Sequence, residues 1–218
     1  MSGDGFGGEV EGLHAVAEAV ASGRVRRLTV ETGRLRHDDY RRLVEDAEAA
    51  GAIVTRVDDA RALAATGAPQ GVVARCRPIP YTDLAEAVRL ANPAALLVLD
   101  HLEDTRNLGA LARSARATGV PAMVVAERRS APVGASAFKA AAGALEHVAV
   151  CRVGSVADAM ARLRKADVWL VGLDGGAPRS ILGLELLAEP VAIVLGAEGE
   201  GISRLVSERL DVTARIPM

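Results

Sequence analysis

Val191-Ala192-Ile193-Val194-Leu195-Gly196-Ala197-Glu198-Gly199-Glu200-Gly201 is an unbroken apolar run that gives way to a glycine-rich loop. Apolar residues without polar alternation suit a strand buried on both faces, as in a parallel sheet covered by helices. Similar runs precede it at Ala95–Leu99, Ala122–Ala126, Val148–Cys151 and Val168–Val171. Between them the spacing shifts to the helical period over Ala110–Ala117, Ala135–Ala142 and Val156–Arg164. Strand and helix alternating in this way make a doubly wound α/β sheet, whose ligands sit at the carboxyl ends of its strands. The glycine loop follows such an end. Glycine accepts positive φ and close backbone approach, so the loop can wrap a flat adenine or a methionine tail, although an ordinary glycine-rich turn reads the same. The GxGxxG dinucleotide fingerprint is absent, because the spacing differs and Glu198 and Glu200 would repel a pyrophosphate.

Upstream, Gly12–Val20, Tyr40–Ala50 and Asp58–Ala65 have helical spacing, while Val25–Val30, Ala52–Thr55 and Gly71–Cys76 read as strands. They make a small α/β domain over residues 1–76. The prolines of Arg77-Pro78-Ile79-Pro80 forbid helix, and a short amphipathic stretch, Leu84–Leu90, leads on to Asn92-Pro93. Residues 77–93 therefore read as a linker and 94–218 as a second domain.

The 218 residues are 50% hydrophobic and 25% charged, enough for two real cores. No apolar run reaches the roughly 20 residues of a membrane helix, and no signal pattern opens the chain, so a soluble, cytoplasmic protein is expected. Cys76 and Cys151 have no CxxC or histidine partners, which favours core thiols over zinc or a disulfide. The net charge of −2 neither favours nor excludes nucleic acid, since a basic footprint is local to one face. Nearly all basic residues are Arg, suited to bidentate phosphate contacts, though GC-rich coding gives the same bias. Arg24, Arg26, Arg27, Arg34 and Arg36 are the candidate phosphate contacts of the first domain.

A second informative stretch starts at the strand end Leu99-Asp100, crosses Glu103-Asp104-Thr105-Arg106-Asn107 and enters a helix carrying Arg113. Asn107, close to the helix start, can cap free amides. Arg113, less than two turns further on and on a nearby face, can hold a phosphate or simply be solvated. Glu198, a carboxylate in a glycine loop at a sheet edge, is positioned for an Arg or a ligand. His14 reads as a residue of the first helix. His37, His101 and His147 have no triad-like or metal-like companions in the sequence and are assigned no chemistry.

The string from Asp104 through Asn107-Leu108-Gly109-Ala110 and Arg113-Ser114-Ala115 to Gly119-Val120 resembles the first motif of the SpoU (TrmH-like, SPOUT superfamily) RNA ribose 2′-O-methyltransferases. Thr105 stands where that family usually has proline. Leu195–Ser203 resembles the second motif, and Ile216-Pro217-Met218 the opening of the third, whose Ser-Leu-Asn-Val-Ser continuation is missing after Met218. Arg129–Pro132, Ala142–Glu146 and Val171–Leu173 align in order with the bacterial enzymes that methylate a guanosine of 23S ribosomal RNA. Val10–Val16 and Gln70–Ala74 resemble that subfamily's ribosomal-protein-like RNA-binding domain.

The resemblance implies a trefoil-knot α/β methyltransferase domain behind a small α/β RNA-binding domain, working as a homodimer without metal. It implies S-adenosyl-L-methionine as cofactor, held largely by backbone around Leu173, Leu195, Gly196, Ala197, Ile216 and Met218. It implies Arg113, Asn107 and Glu198 as catalytic residues, with Glu198 ordering the site around the arginine. The expected reaction is methylation of a ribose 2′-hydroxyl in structured RNA, a guanosine of 23S ribosomal RNA, with transfer RNA as the alternative target. Two rival classes remain: a non-catalytic RNA-binding protein, should the chain truly end at Met218, and a different nucleotide-using α/β enzyme, should S-adenosylmethionine not bind.

Overall fold

The computed structural model describes residues 5–91 and 95–217. The chain opens with β1 (Gly5–Phe6), β2 (Glu9–Glu11), α1 (Leu13–Ala21), β3 (Val25–Glu31), α2 (Asp38–Ala49), β4 (Ile53–Val57), β5 (Val72–Cys76) and β6 (Ile79–Pro80). Four of these strands form a sheet in the order β2-β5-β3-β4, in which only β3 and β4 run parallel. The apolar stripes of α1 and α2 supply Val16, Val20, Leu43 and Val44 to a core shared with Leu28, Val30, Val72 and Ala74.

Residues 58–65, expected as a helix, form only a single 3-10 turn over Arg61–Leu63. The cause is a contact that the local pattern does not carry. Glu11 is fully buried, and its carboxylate accepts the amide of Ala65 and, at 2.9 Å, that of Thr66. Amides aimed at a carboxylate across the sheet are not available to close helical turns.

The chain continues with α3 (Leu84–Leu90), β7 (Leu96–Leu99), α4 (Thr105–Thr118), β8 (Ala122–Ala126), α5 (Ala135–Ala141), β9 (Ala149–Val153), α6 (Val156–Lys165), β10 (Trp169–Leu173), β11 (Val191–Leu195), α7 (Arg204–Ser207) and β12 (Val212–Ala214). Six strands make a wholly parallel sheet in the order β12-β10-β11-β7-β8-β9. The five apolar runs of the sequence are its five longest strands. One face is sealed by a core that includes Leu96, Val98, Val124, Leu170 and Val194 with Met160 and Leu163 of α6. Winding proceeds from β7 out to β9 and then resumes on the other side, so the order reverses between β7 and β11. Crevices open at such reversals.

Contacts sort the chain into two compact units. The first joins the chain up to Pro80 with Thr105–Arg113 and Pro132–His147, and the second joins Tyr81–Asp104, Ser114–Ala131 and the chain from Val148. Inside the first unit α4 and α5 cross closely. A β-carbon on Gly109 would lie 2.5 Å from Cβ of Ala140 and 2.8 Å from the Ala137 carbonyl oxygen, so the crossing needs glycine there. This crossing also explains why α4 begins at Thr105 rather than near Ala110. Polar Thr105-Arg106-Asn107 reads as loop, yet buried Leu108 and Ala112 lie one helical turn apart and hold the whole segment helical.

Candidate active site at the carboxyl edge of the sheet

Because β12, β10, β11 and β7 are adjacent and parallel, their carboxyl ends share one edge. Leu173 pairs with Ala214 there, and Leu195 with Leu99. The loop after Leu195 doubles back on itself: the Ala197 amide donates to the Gly201 carbonyl at 3.0 Å and the Gly201 amide to the Ala197 carbonyl at 2.9 Å. A β-carbon on Gly196 would fall 2.0 Å from the Gly201 carbonyl carbon, so no other residue fits. Glu198 and Glu200 are exposed near the tip of this turn.

One buried carboxylate fastens the loop. Asp100, 1% exposed at its side chain, donates its amide to the Leu195 carbonyl at 2.8 Å and accepts the Ser203 amide on Oδ2 at 2.8 Å. In the sequence this residue reads only as the end of a strand, although a charge abutting an apolar run is a visible signal. His101, which has no companion in the sequence, has one in the structure: its Nδ1 lies 2.7 Å from Oδ1 of Asp100. His147 likewise has a partner, its Nε2 lying 2.7 Å from Glu18.

A third wall follows β12. The Arg215 guanidinium donates to the carbonyls of Ala177 and Pro178, each at 2.6 Å, and its backbone amide donates to Arg179 at 2.8 Å. These bonds fix the run into Ile216, a residue 55% exposed. Met218 lies outside the described residues. The edge therefore gathers Leu173, Leu195, Gly196, Ala197 and Ile216 from the expected cofactor set. Backbone groups beside partly exposed Leu173, Ile202 and Ile216 fit an adenosine with a thioether-like tail, which needs flat apolar contact and no metal.

Asn107 is the third residue of α4 and lies within its first turn, past the capping position. Arg113 is exposed on the same helix. Six residues at 100° each set the two about 120° apart around the axis, so they do not share a face. Both belong to the first contact unit, and Glu198 to the second.

Of the expected phosphate contacts, Arg24 is engaged elsewhere. It is 11% exposed, and its Nε donates to Glu146 at 2.7 Å. Arg26, Arg27 and Arg36 are exposed, while Arg34 lies over the Tyr40 ring, 5.9 Å from its centroid. Among the described residues no cluster of three His, Cys, Asp or Glu is arranged for a metal ion, and no helix is long and apolar enough to cross a membrane.

A parallel sheet with a glycine loop clasped at its reversal point defines an α/β fold of the kind whose ligands meet strand ends. Family comparison makes this specific. Residues 94–218 match the SpoU rRNA Methylase family, and residues 10–82 match the RNA 2′-O ribose methyltransferase substrate binding family. The chain belongs to the SpoU methylase family, and its fold is the trefoil-knot α/β architecture of that family with an amino-terminal substrate-binding domain.

A Synechocystis protein named as an uncharacterized tRNA/rRNA methyltransferase is 35% identical over 95% of this chain, which spans 56% of that protein's length. A Staphylococcus aureus protein named for the TrmH family of tRNA/rRNA methyltransferases is 33% identical over 96% of this chain and 86% of its own. The SpoU methyltransferase AviRb of Streptomyces viridochromogenes, solved with AdoMet, superposes with a TM-score of 0.75 at 24% identity, covering 97% of this chain and 81% of AviRb.

Proposed function

We propose that this protein transfers a methyl group from S-adenosylmethionine to a ribose 2′-hydroxyl of structured RNA, specifically a guanosine of 23S ribosomal RNA. The observation that carries the reading is the glycine loop clasped by Asp100 at the edge shared by Leu173 and Ile216. The family match and the AdoMet bound by AviRb support it. Residues 1–76 serve as the RNA-binding domain and 94–218 as the methyltransferase, readings supported by the family matches over 10–82 and 94–218. Residues 77–93, expected as a linker, instead carry α3, and Leu84, Ala87 and Ala91 are buried in the core of the parallel sheet. The protein acts as a homodimer; the strongly exposed Leu182, Leu205 and Ile216 provide apolar surface for one.

When bound, the cofactor supplies an electrophilic methyl on a positively charged sulfur. The backbone of 195–197, Leu173 and Ile216 hold it at the strand ends, and Gly196 allows that approach. Arg113 anchors the target phosphate and polarises the hydroxyl, since a guanidinium is too weak a base to take a proton. Asn107 and Glu198 complete the catalytic set. Alignment carries most of the rate, because the leaving sulfur departs neutral.

The test is transfer of labelled methyl to ribosomal RNA lacking the modification. Arg113→Ala abolishes transfer and leaves cofactor binding near wild type. Full turnover by that variant contradicts the assignment.

A further inference from the structure

We propose that the amino edge of the parallel sheet docks a segment of a basic protein, taking one arginine side chain between Trp169 and Asp167. Trp169 is the chain's single tryptophan and opens β10, where it pairs with Val191 at the start of β11. Because the strands run parallel, this edge is the opposite end of the sheet from the glycine loop. Among the phenylalanines, tyrosines and tryptophan of the chain only Trp169 is exposed, at 43%. It lines a hollow of about 280 Å³ together with Arg164, Asp167, Val168 and Asp211.

The charges of that hollow leave one carboxylate unspent. Arg164 donates to Oδ1 of Asp211 at 2.6 Å and to the Arg209 carbonyl at 2.7 Å, while Oδ2 of Asp211 accepts the Leu170 amide at 2.9 Å. Arg164 and Asp211 thus cancel, and the charge of Asp167 remains. Asp167 is exposed, and among the described residues its carboxylate has no hydrogen bond or ion pair. Its amide donates to the Arg164 carbonyl at 3.1 Å, which puts it directly behind the carboxyl end of the ten-residue helix α6. The helix dipole adds negative potential at that end. Arg162 and Lys165, also in the last turn of α6, do not line the hollow.

An aromatic face beside an unpaired carboxylate at a helix carboxyl end selects a flat cation. A guanidinium stacks on indole and forks onto a carboxylate at once, which the compact ammonium of lysine does not do. A phosphate would instead meet Asp167 and the negative helix end, so nucleic acid is the poorer fit. The neighbouring surface favours a polypeptide over free arginine. A second hollow, of about 60 Å³, shares Val168 and is otherwise walled by apolar residues, including Val88, Leu96, Pro190 and Val191. Its size and lining suit one small aliphatic side chain, which a segment with valine beside arginine supplies and free arginine lacks. A partner held at this edge leaves the glycine loop uncovered.

Trp169 makes the test direct, since all tryptophan emission comes from this hollow. The full-length protein is titrated with an acetylated tetrapeptide amide of alternating arginine and valine, and saturable quenching is expected. Exchanging arginine for uncharged citrulline in the peptide weakens binding at least about tenfold, and so does Asp167→Asn. Asparagine matches aspartate in volume and tolerates the left-handed backbone, φ +57°, of that position, so the fold is kept. Trp169→Leu, followed by calorimetry, weakens binding about three- to tenfold. Unchanged emission, or equal affinity for the citrulline peptide or in Asp167→Asn, overturns the proposal. Quenching by arginine amide at the peptide's affinity would make this a small-molecule pocket, and preference for a single-stranded RNA oligonucleotide would make it a nucleic-acid surface; either result also overturns it.

Discussion

At Gly196 the chain has no tolerance: a single added carbon would sit inside the backbone of Gly201. Gly196→Ala must therefore open the turn that Ala197 and Gly201 close, displacing the wall proposed for the cofactor. Calorimetry with S-adenosylmethionine is expected to show affinity reduced at least about tenfold, or about 1.4 kcal/mol, while the circular dichroism spectrum stays native. Unchanged affinity would remove the loop from the cofactor site.

The cysteines make a second residue-scale case, as the core thiols that the sequence suggested. Burial pushes the Cys76 thiol from its usual 9.0 up to about 11, and burial does the same to Cys151. Both pKa values are raised on folding, so between 9.0 and about 11 the unfolded chain releases thiol protons that the folded chain retains. Stability is lost as pH climbs through that window. Urea midpoints at pH 8 and 10.5 check this: the Cys76→Ala, Cys151→Ala double variant loses less stability over the interval than the wild type.

At the scale of elements, the segment between β4 and β5 shows how one contact overrides a local pattern. Glu11→Gln keeps the volume of the side chain but weakens its hold on Ala65 and Thr66. A destabilisation of about 1–3 kcal/mol is expected by urea denaturation, with amide exchange at Ala65 and Thr66 accelerated most. An unaffected loop would mean that something other than Glu11 draws it out of helix.

The parallel strands were legible because burial on both faces leaves an uninterrupted apolar run, and the Leu195–Ser203 loop was legible through its glycines. Residues 58–65 were not, because their conformation is decided at Glu11, and neither was the start of α4, which is decided by the crossing at Gly109. Asp100 and His101 were adjacent in plain view. His101 adopts a left-handed backbone that nothing in the sequence demands, and an isolated histidine has no pattern to betray its contact.

For the whole molecule, the two family matches assign RNA binding and methyl transfer to different stretches of chain. Exposed Arg26 and Arg27 are then the proposed phosphate contacts, whereas partly buried Arg24 is a structural partner of Glu146. Replacing Arg26 and Arg27 together with Ala is expected to weaken binding of all structured RNAs alike and to lower the slope of log affinity against log salt by about 2. Arg24→Ala should instead lower the melting temperature. A reversal of those two outcomes would contradict the division of roles.

The central claim is the reaction, and the most direct measurement is nucleoside mass spectrometry of 23S ribosomal RNA after incubation with the protein and isotopically labelled S-adenosylmethionine. The predicted result is label in 2′-O-methylguanosine at a single position, lost with Arg113→Ala. Label confined to base-methylated nucleosides, or none in RNA while the cofactor is bound, would contradict it.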